Sequence, residues 1–535
     1  MSYTTLAFFA FICAVVIIYY LPFLRKYQWA VLLAASVFFY CFASWRLAGF
    51  IVFTALSTWY AGILCDRILR GSKQTLKEHK AEWDRQQKKA FKEKIQRRLR
   101  LVLVITLVVN FGILVMLKYY NFLAGGLAAL AGIRLPMLHL LLPLGISFYT
   151  FQTMGYIIDV YSENIDAEKN PLKLMLFTSF FPQIIQGPIS SFEQLAPQLF
   201  GTHQLSYDRV CRGLTLILWG YFKKLIIADR AAGAISTVTA DYTQYNGTTL
   251  LAILLLYAFQ LYADFSAGID ISRGVARILG IDMIDNFRRP YFARSINEYW
   301  RRWHISLGAW MKQYIFYPVA MSDGMVKLSR RIKGGKGNGS PVRDHLAKTL
   351  PAAIGSLIVF LVVGLWHGAN GKYLAFGLWN GLIVMTSILL EPVFLRMTGA
   401  LHIRTDGWAW RHFQMIRTFI LVLIGYVFDI GPDFAGSMDM MRRMVTDQDT
   451  WNRMLQILDL GLNRQNYLLL IAMVFVVWLI SRRQEKLRID DFGDLVARHS
   501  AGVKWLIVFV MIIMILVLGT YGPGYDPADF VYMQF

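Results

Sequence analysis

Little in this chain can hold a metal or a disulfide. Its 535 residues include four cysteines, Cys13, Cys41, Cys65 and Cys211, at no paired metal spacing, and three of them fall inside apolar runs. A thiol in such a run is a small buried hydrophobe, so neither a disulfide nor a zinc site is expected. Acid is scarce too: 34 Asp and Glu stand against 55 Lys and Arg. The absence of a Gly-x-Ser-x-Gly elbow argues against a serine hydrolase. The absence of His-Glu-x-x-His argues against a zinc protease. No basic segment precedes the first apolar run and no small-x-small site follows it, so that run is expected to remain as a span and not to leave as a signal peptide.

What the chain has is apolar length. It is 56% hydrophobic with a mean hydropathy of +0.44, well above a soluble domain. Uncharged runs at 1–24, 27–45, 47–65, 101–117, 135–158, 349–366, 465–481 and 505–525 are predicted spans. Less clean candidates lie near 172–190, 210–228, 249–280, 372–391 and 413–428. The expectation is a single all-α membrane-embedded domain over 1–535, with about eleven or more membrane elements, some of them re-entrant.

The basic residues cluster between runs. Segment 66–100 holds 13 Lys and Arg against 5 Asp and Glu, and segment 326–348 holds 7 against 1. That is the positive-inside signature and not a nucleic-acid surface. Both segments are predicted to be cytoplasmic, near anionic lipid. The N-terminus and the tail 521–535 then fall outside the cell. Segment 66–100 is expected either as a charged helix on the cytoplasmic surface or as a solvated linker. The glycine-rich 334–339 lacks the strand–loop–helix setting of a phosphate loop. No internal repeat is evident, which weakens a transporter built from inverted halves.

Two histidines follow tryptophans in apolar surroundings, at Trp303-His304 and Trp366-His367. The second closes a run long enough to cross a bilayer, and an ionisable group at that depth is a functional candidate. Histidine also exchanges a proton near neutral pH. Continuous helical spacing would put Trp300 and His304 on one face and let Glu298 pair with Arg301 or Arg302. Beside His367, Gly368 leaves room for a substrate, and Asn370 offers a hydrogen bond to an oxyanion or to the imidazole. Trp379 and Asn380 follow in the next helix as further wall residues. Pro143–Gln152, Phe181–Pro188 and Gln260–Gly268 are polar and broken for their depth. They are expected to line a cavity or to pack helices through small residues.

The blocks Glu298-Tyr-Trp-Arg-Arg-Trp-His304 and Trp366-His367-Gly-Ala-Asn370 resemble the membrane-bound O-acyltransferases. They are most similar to the bacterial branch that serves alginate O-acetylation and teichoic-acid D-alanylation. Pro143–Tyr149, Gln186-Gly187-Pro188, Tyr262-Ala-Asp264-Phe-Ser266 and Asn286–Tyr291 extend the resemblance in order along the chain. Ala263 and Ala267 depart from the residues relatives often carry there, which bears on cavity shape. The resemblance implies a ring of tilted helices around a central tunnel, with a cytoplasmic acyl donor on one side and an external acceptor on the other. It implies that His367 is the central catalytic residue and His304 a second one. Asn370, Trp366, Trp303, Glu298, Arg301, Asp264 and Asn297 are the expected supporting residues.

The tail ends Phe530-Val-Tyr532-Met-Gln-Phe535, similar to tails in the same branch. Tyr532 is therefore a candidate acyl carrier, and an interfacial aromatic anchor is its plainer alternative. The expected protein is a bacterial inner-membrane O-acyltransferase needing no metal. Its donor would be acetyl-CoA or an acyl carrier protein. Its acceptor would be a cell-envelope polysaccharide, reached with an extracytoplasmic acyltransferase partner. The rivals are D-alanyl transfer to teichoic acid and a flippase of lipid-linked saccharide.

Overall fold

The computed structural model describes residues 3–133, 135–138, 140–334, 340–447 and 460–522. Among these, nine helices are long and apolar enough to cross a bilayer, so this is a multi-pass membrane protein. The sole β-type pairing among the described residues is one isolated antiparallel bridge, Phe287 to Trp303. The fold comprises two compact units. One is built from residues up to Leu214 together with Ser272–Ile284; the other from Thr215–Ile271 and the described residues from Asp285 onward.

In the first unit, Gln28–Ser44, Ala48–Glu78 and Arg85–Ala131 are the long apolar helices. Two predicted spans come out differently. The helix at the start is Leu6–Tyr19, 14 residues, or about 21 Å of rise, and a 3₁₀ turn over Pro22–Tyr27 follows it. The 135–158 run holds a helix only from Ile146 to Tyr161. Pro143 and Gly145 break what precedes it. Gly145 has φ +67°, and a Cβ there would run into the Ile184 carbonyl oxygen. The helix that follows is buried along nearly all its length. Segment 171–190 is broken as well, into Pro171–Ser179 and Phe181–Ile184. Its loose backbone groups find protein partners. The Phe181 N–H donates to Ser36 Oγ at 3.1 Å, and the Pro182 carbonyl accepts from Tyr3 (3.0 Å) and from Ser272. Residues 176–190 are all buried. Broken backbone at this depth is tolerated because these side chains satisfy it.

Segment 66–100 is helical apart from a short turn and is not a linker. Two long helices simply continue through it and meet at a turn over 79–84.

The second unit carries Pro341–His367, Gly371–Leu389, Trp408–Ile430, Arg464–Leu487 and Ala501–Leu518. Ser340 caps the first of these and Pro341 opens it, the residue types that suit a helix start. Pro341–His367 and Gly371–Leu389 form a tight antiparallel pair. A Cβ on Gly364 would strike the Tyr373 carbonyl, and one on Gly377 would strike the Phe360 carbonyl. Glycine at both positions lets the two backbones touch, and this fixes where His367 stands. Gly220 lies against the Ala267 carbonyl in the same way, so the Gln260–Gly268 stretch serves helix packing.

Candidate active site

His304 does not lie on a continuous helix. Helix Ile296–Arg302 stops at Trp303, which is extended, and Ile305–Met311 starts anew. Between them His304 has φ +46°. A left-handed non-glycine residue is costly and persists where its surroundings over-determine it. Here they do. Phe287 pairs with Trp303, and the Arg288 N–H donates to the Arg302 carbonyl at 2.9 Å. The Ile305 N–H donates to the Asn286 carbonyl at 3.0 Å, and the Ser306 N–H to Asn286 Oδ1 at 2.8 Å. The predicted i,i+4 alignment of Trp300 with His304 is thus replaced by a kink, although both residues still reach one cavity.

Ion pairs tie the same loop to a distant helix end. Glu485 accepts from Arg289 at 2.6 Å and from Arg302 at 3.0 Å, while Arg289 also reaches Asp490 at 2.8 Å. Glu298 pairs with Arg302 at 2.8 Å, one of its two predicted partners, and accepts from the Arg294 N–H.

The two imidazoles share one indole. The Trp366 ring centroid is 5.7 Å from His304 and 5.1 Å from His367. Phe265 meets His304 edge-on at 4.9 Å, and Phe376 meets His367 at 5.3 Å. Tyr373 stacks on His367 at 6.1 Å. His304 is 2% exposed and His367 6%. His304 lies outside the spanning helices. Burial, and then the neighbouring His367, pull its imidazole down to about 3, so it is neutral at physiological pH and able to accept a proton or donate its one N–H.

A cavity of about 440 Å³ reaches His304. Its walls are apolar, from Phe360, Val363 and Val384 among others, and Asn297 and Ser356 add polar points. Trp300 forms part of the wall and is pinned by its indole N–H donating to Asn380 Oδ1 at 3.1 Å. Arg301 and Lys312, both exposed, give it a cationic rim. Lys312 opens a π-helical turn, Lys312–Phe316, a distortion that recurs at functional sites.

Residues 165–330 match the family model for the membrane-bound O-acyltransferases. Over that stretch the chain is similar to this family. A probable alginate O-acetylase from Pseudomonas syringae pv. tomato is 34% identical over 333 residues, covering 61% of this chain and 57% of the relative. A peptidoglycan O-acetyltransferase from Helicobacter pylori is 30% identical over 378 residues, 65% of each. A teichoic acid D-alanyltransferase from Bacillus subtilis is 28% identical over 246 residues, 45% of this chain and 58% of the relative. The chain thus spans less than two thirds of the length of these curated relatives.

Set against this acyltransferase frame, the predicted site residues separate. His304, Trp300, Asn297 and Arg301 meet at the cavity, and Trp366 joins His304 to His367. Trp303 is buried among Phe287, Tyr299 and Phe265, behind the loop. Asp264 is not at the cavity but in a buried ion pair with Lys224 at 2.7 Å. Asn370 is committed to capping: its side-chain oxygen accepts from the Lys372 N–H at 3.0 Å. Trp379 does not wall the site and donates instead to the Leu421 carbonyl at 2.9 Å. Tyr532 lies outside the described residues. Sequence reasoning missed Asn286, Phe265, Lys312 and Glu485. Asn286 and Phe265 sit inside the quoted motifs and were legible there; Glu485 carries no local signal.

Proposed function

We propose that this chain is a membrane O-acyltransferase of the bacterial cell envelope. It moves an acyl group, acetyl by analogy with the relatives named as O-acetylases, from a cytoplasmic thioester to a hydroxyl of an exported polysaccharide. The observation that carries this is the pair of buried imidazoles joined by Trp366, with an apolar, cation-rimmed cavity lined in part by one of them. The thioester enters the cavity, its anionic carrier at Arg301 and Lys312 and its acyl carbonyl near His304. The neutral His304 N–H donates to the carbonyl oxygen as negative charge builds. His367 takes the proton of the acceptor hydroxyl. The hydroxyl oxygen then bonds to the carbonyl carbon, the C–S bond breaks, and the proton passes from His367 to the leaving thiolate.

The positive-inside rule gives the direction. Helix Pro341–His367 starts beside a basic segment, which puts Ser340 at the cytoplasmic face and His367 toward the outer half. The C-terminus is assigned outside, where Tyr532 receives the acyl group as an aryl ester and hands it to a partner enzyme and its polysaccharide. A flippase would have little use for a donor cavity lined by a buried imidazole.

Mass spectrometry of the C-terminal peptide, from native membranes of wild type and His367→Ala, tests the scheme. An acyl adduct on Tyr532 that vanishes in the variant is the expected result, and its mass separates acetyl from D-alanyl. A bare tail in both, with polymer acylation intact in the wild type, removes the tyrosine relay. Polymer acylation persisting in His367→Ala removes His367 as the base.

A further inference from the structure

A second cavity lies in the second unit and shares no wall residue with the one at His304. It holds about 80 Å³, and its lining is almost wholly apolar. Helix Gly247–Ile278 supplies Tyr262 and Ala263, the loop before Ile296 supplies Tyr291, and helix Arg464–Leu487 supplies Val477 and Trp478. Two cations also border it, but both are committed elsewhere. Lys223 Nζ donates to Ser266 Oγ and to Asp270, each at 2.7 Å. Arg289 is held by Glu485 and Asp490. Ala263 is buried, and a longer side chain there would extend into the space.

Water does not suit such a wall. A buried water needs about 2–4 polar partners, whereas apolar cavities stay dry and take up hydrocarbon. The mouth opens on the bilayer. Arg464–Leu487 is a spanning helix, and Ile471, Phe475, Trp478 and Leu479 are exposed along it. The pocket lies within one leaflet: Val474, at its far end, is eight residues from Arg482, or about 12 Å, against about 30 Å of hydrocarbon in all. A partner's helix, about 10 Å across, is too thick to enter a space of this volume.

The headgroup end is marked as well. Arg482 follows Trp478 by one helical turn, and its guanidinium lies over that ring at 5.4 Å. Arg482 and Arg483 are both exposed. They put positive charge at the mouth, at the level where a phosphate sits when its acyl chains run along Trp478 into the hydrocarbon. An apolar pocket with cations at its membrane-surface end is complementary to a phospholipid along both parts of that molecule.

We infer that this pocket binds one phospholipid, with part of an acyl chain inside it and the phosphate at Arg482 and Arg483. The lipid is a resident and not a reactant. Behind the pocket Tyr291 stacks on Tyr299 at 6.5 Å, and Tyr299 on Trp303 at 5.7 Å. Trp303 directly precedes His304, so the bound chain backs the loop that carries the candidate site. The inference does not depend on acyl transfer and stands or falls separately from it.

The test uses the full chain in nanodiscs doped with phosphatidylglycerol that carries a diazirine midway along one acyl chain. After irradiation, mass spectrometry locates the adducts. Expected in wild type is labelling inside the pocket, at Tyr262 or Tyr291, together with labelling of the exposed Phe475 and Leu479 outside it. Ala263→Leu fills the space; shutting out about two methylenes should lower interior labelling about tenfold, with Phe475 and Leu479 unchanged within about twofold. Arg482→Gln with Arg483→Gln should lower interior labelling severalfold. Should Ala263→Leu not fold, Val477→Trp closes the mouth from the lipid side and is read in the same way. No interior adduct in wild type overturns the proposal, as does undiminished interior labelling in the filled variant. Interior labelling that ignores the arginine pair, and that a diazirine fatty alcohol gives equally well, makes the pocket a site for any hydrocarbon and overturns a phospholipid site.

Discussion

Asn286 should control activity without touching substrate. Its side chain is 1% exposed, and its Oδ1 is the acceptor for the Ser306 N–H, two residues past His304. Asn286→Ala removes that acceptor from a buried N–H, at a cost of about 1–3 kcal/mol. The Ile305 N–H keeps its partner, because that partner is the Asn286 backbone carbonyl. The His304 kink is thus weakened, not abolished. A left-handed non-glycine residue itself stores about 1–2 kcal/mol, so a loss of that size lets the segment relax toward ordinary backbone. Misplacing a catalytic group by about 1 Å costs on the order of a hundredfold in rate. The expected result is a fall in kcat of ten- to a hundredfold, with a smaller change in KM and a modestly lower unfolding temperature. Asn286→Asp keeps an acceptor oxygen and should recover much of the loss. The assay is acyl transfer from a radiolabelled thioester in nanodiscs, beside thermal unfolding of the same samples. Full kcat in Asn286→Ala would refute the idea that this side chain holds His304, and so would equal loss in Asn286→Asp and Asn286→Ala.

Three further outcomes can be measured. Glu485→Gln weakens the link from Arg289 and Arg302 to the helix end; with Glu485 about one third exposed, about 0.5–1 kcal/mol of stability should go, with a severalfold drop in kcat that shrinks in high salt. Gly377→Ala drives a methyl into the Phe360 carbonyl, which should cost about 1–3 kcal/mol, seen as a lower unfolding temperature and lost transfer; unchanged stability would contradict the close helix contact. For pH, the sign follows from a folded His304 held near 3 against about 6.5 unfolded. The unfolded chain takes up a proton first as pH falls, so this contribution to stability is complete above about 6.5 and drains away toward 3. Unfolding temperature should therefore fall more steeply in wild type than in His304→Gln between pH 6.5 and 4, and parallel curves would remove the effect.

How much of this was legible depends on whether the signal is local. Hydropathy over about 18 residues is a local property, so most spans were readable, and the Trp-His motifs are contiguous in the chain. Reading left open whether the charged segment 66–100 is helix or linker. The apolar run stops near Leu101, but backbone hydrogen bonding does not, and the helix carries on to Arg85. It failed at His304, where the helical repeat carries no hint of a kink fixed by Asn286. It gave Asn370 a chemical task when the nearest unmet donor was the Lys372 N–H at a helix start.

By itself the sequence determined the solvent this protein lives in, the family it resembles, and the two histidines worth attention. These follow from composition and from residues adjacent in the chain. Only the tertiary structure decided that the cavity reaches His304, that Trp366 joins the imidazoles, and that Glu485 steadies a loop nearly two hundred residues earlier. It also decided that Asp264 belongs to Lys224 and not to the site. Each of these is a contact between distant segments, made when helices pack closely enough for side chains and bare backbone to meet. No local window of sequence contains both partners.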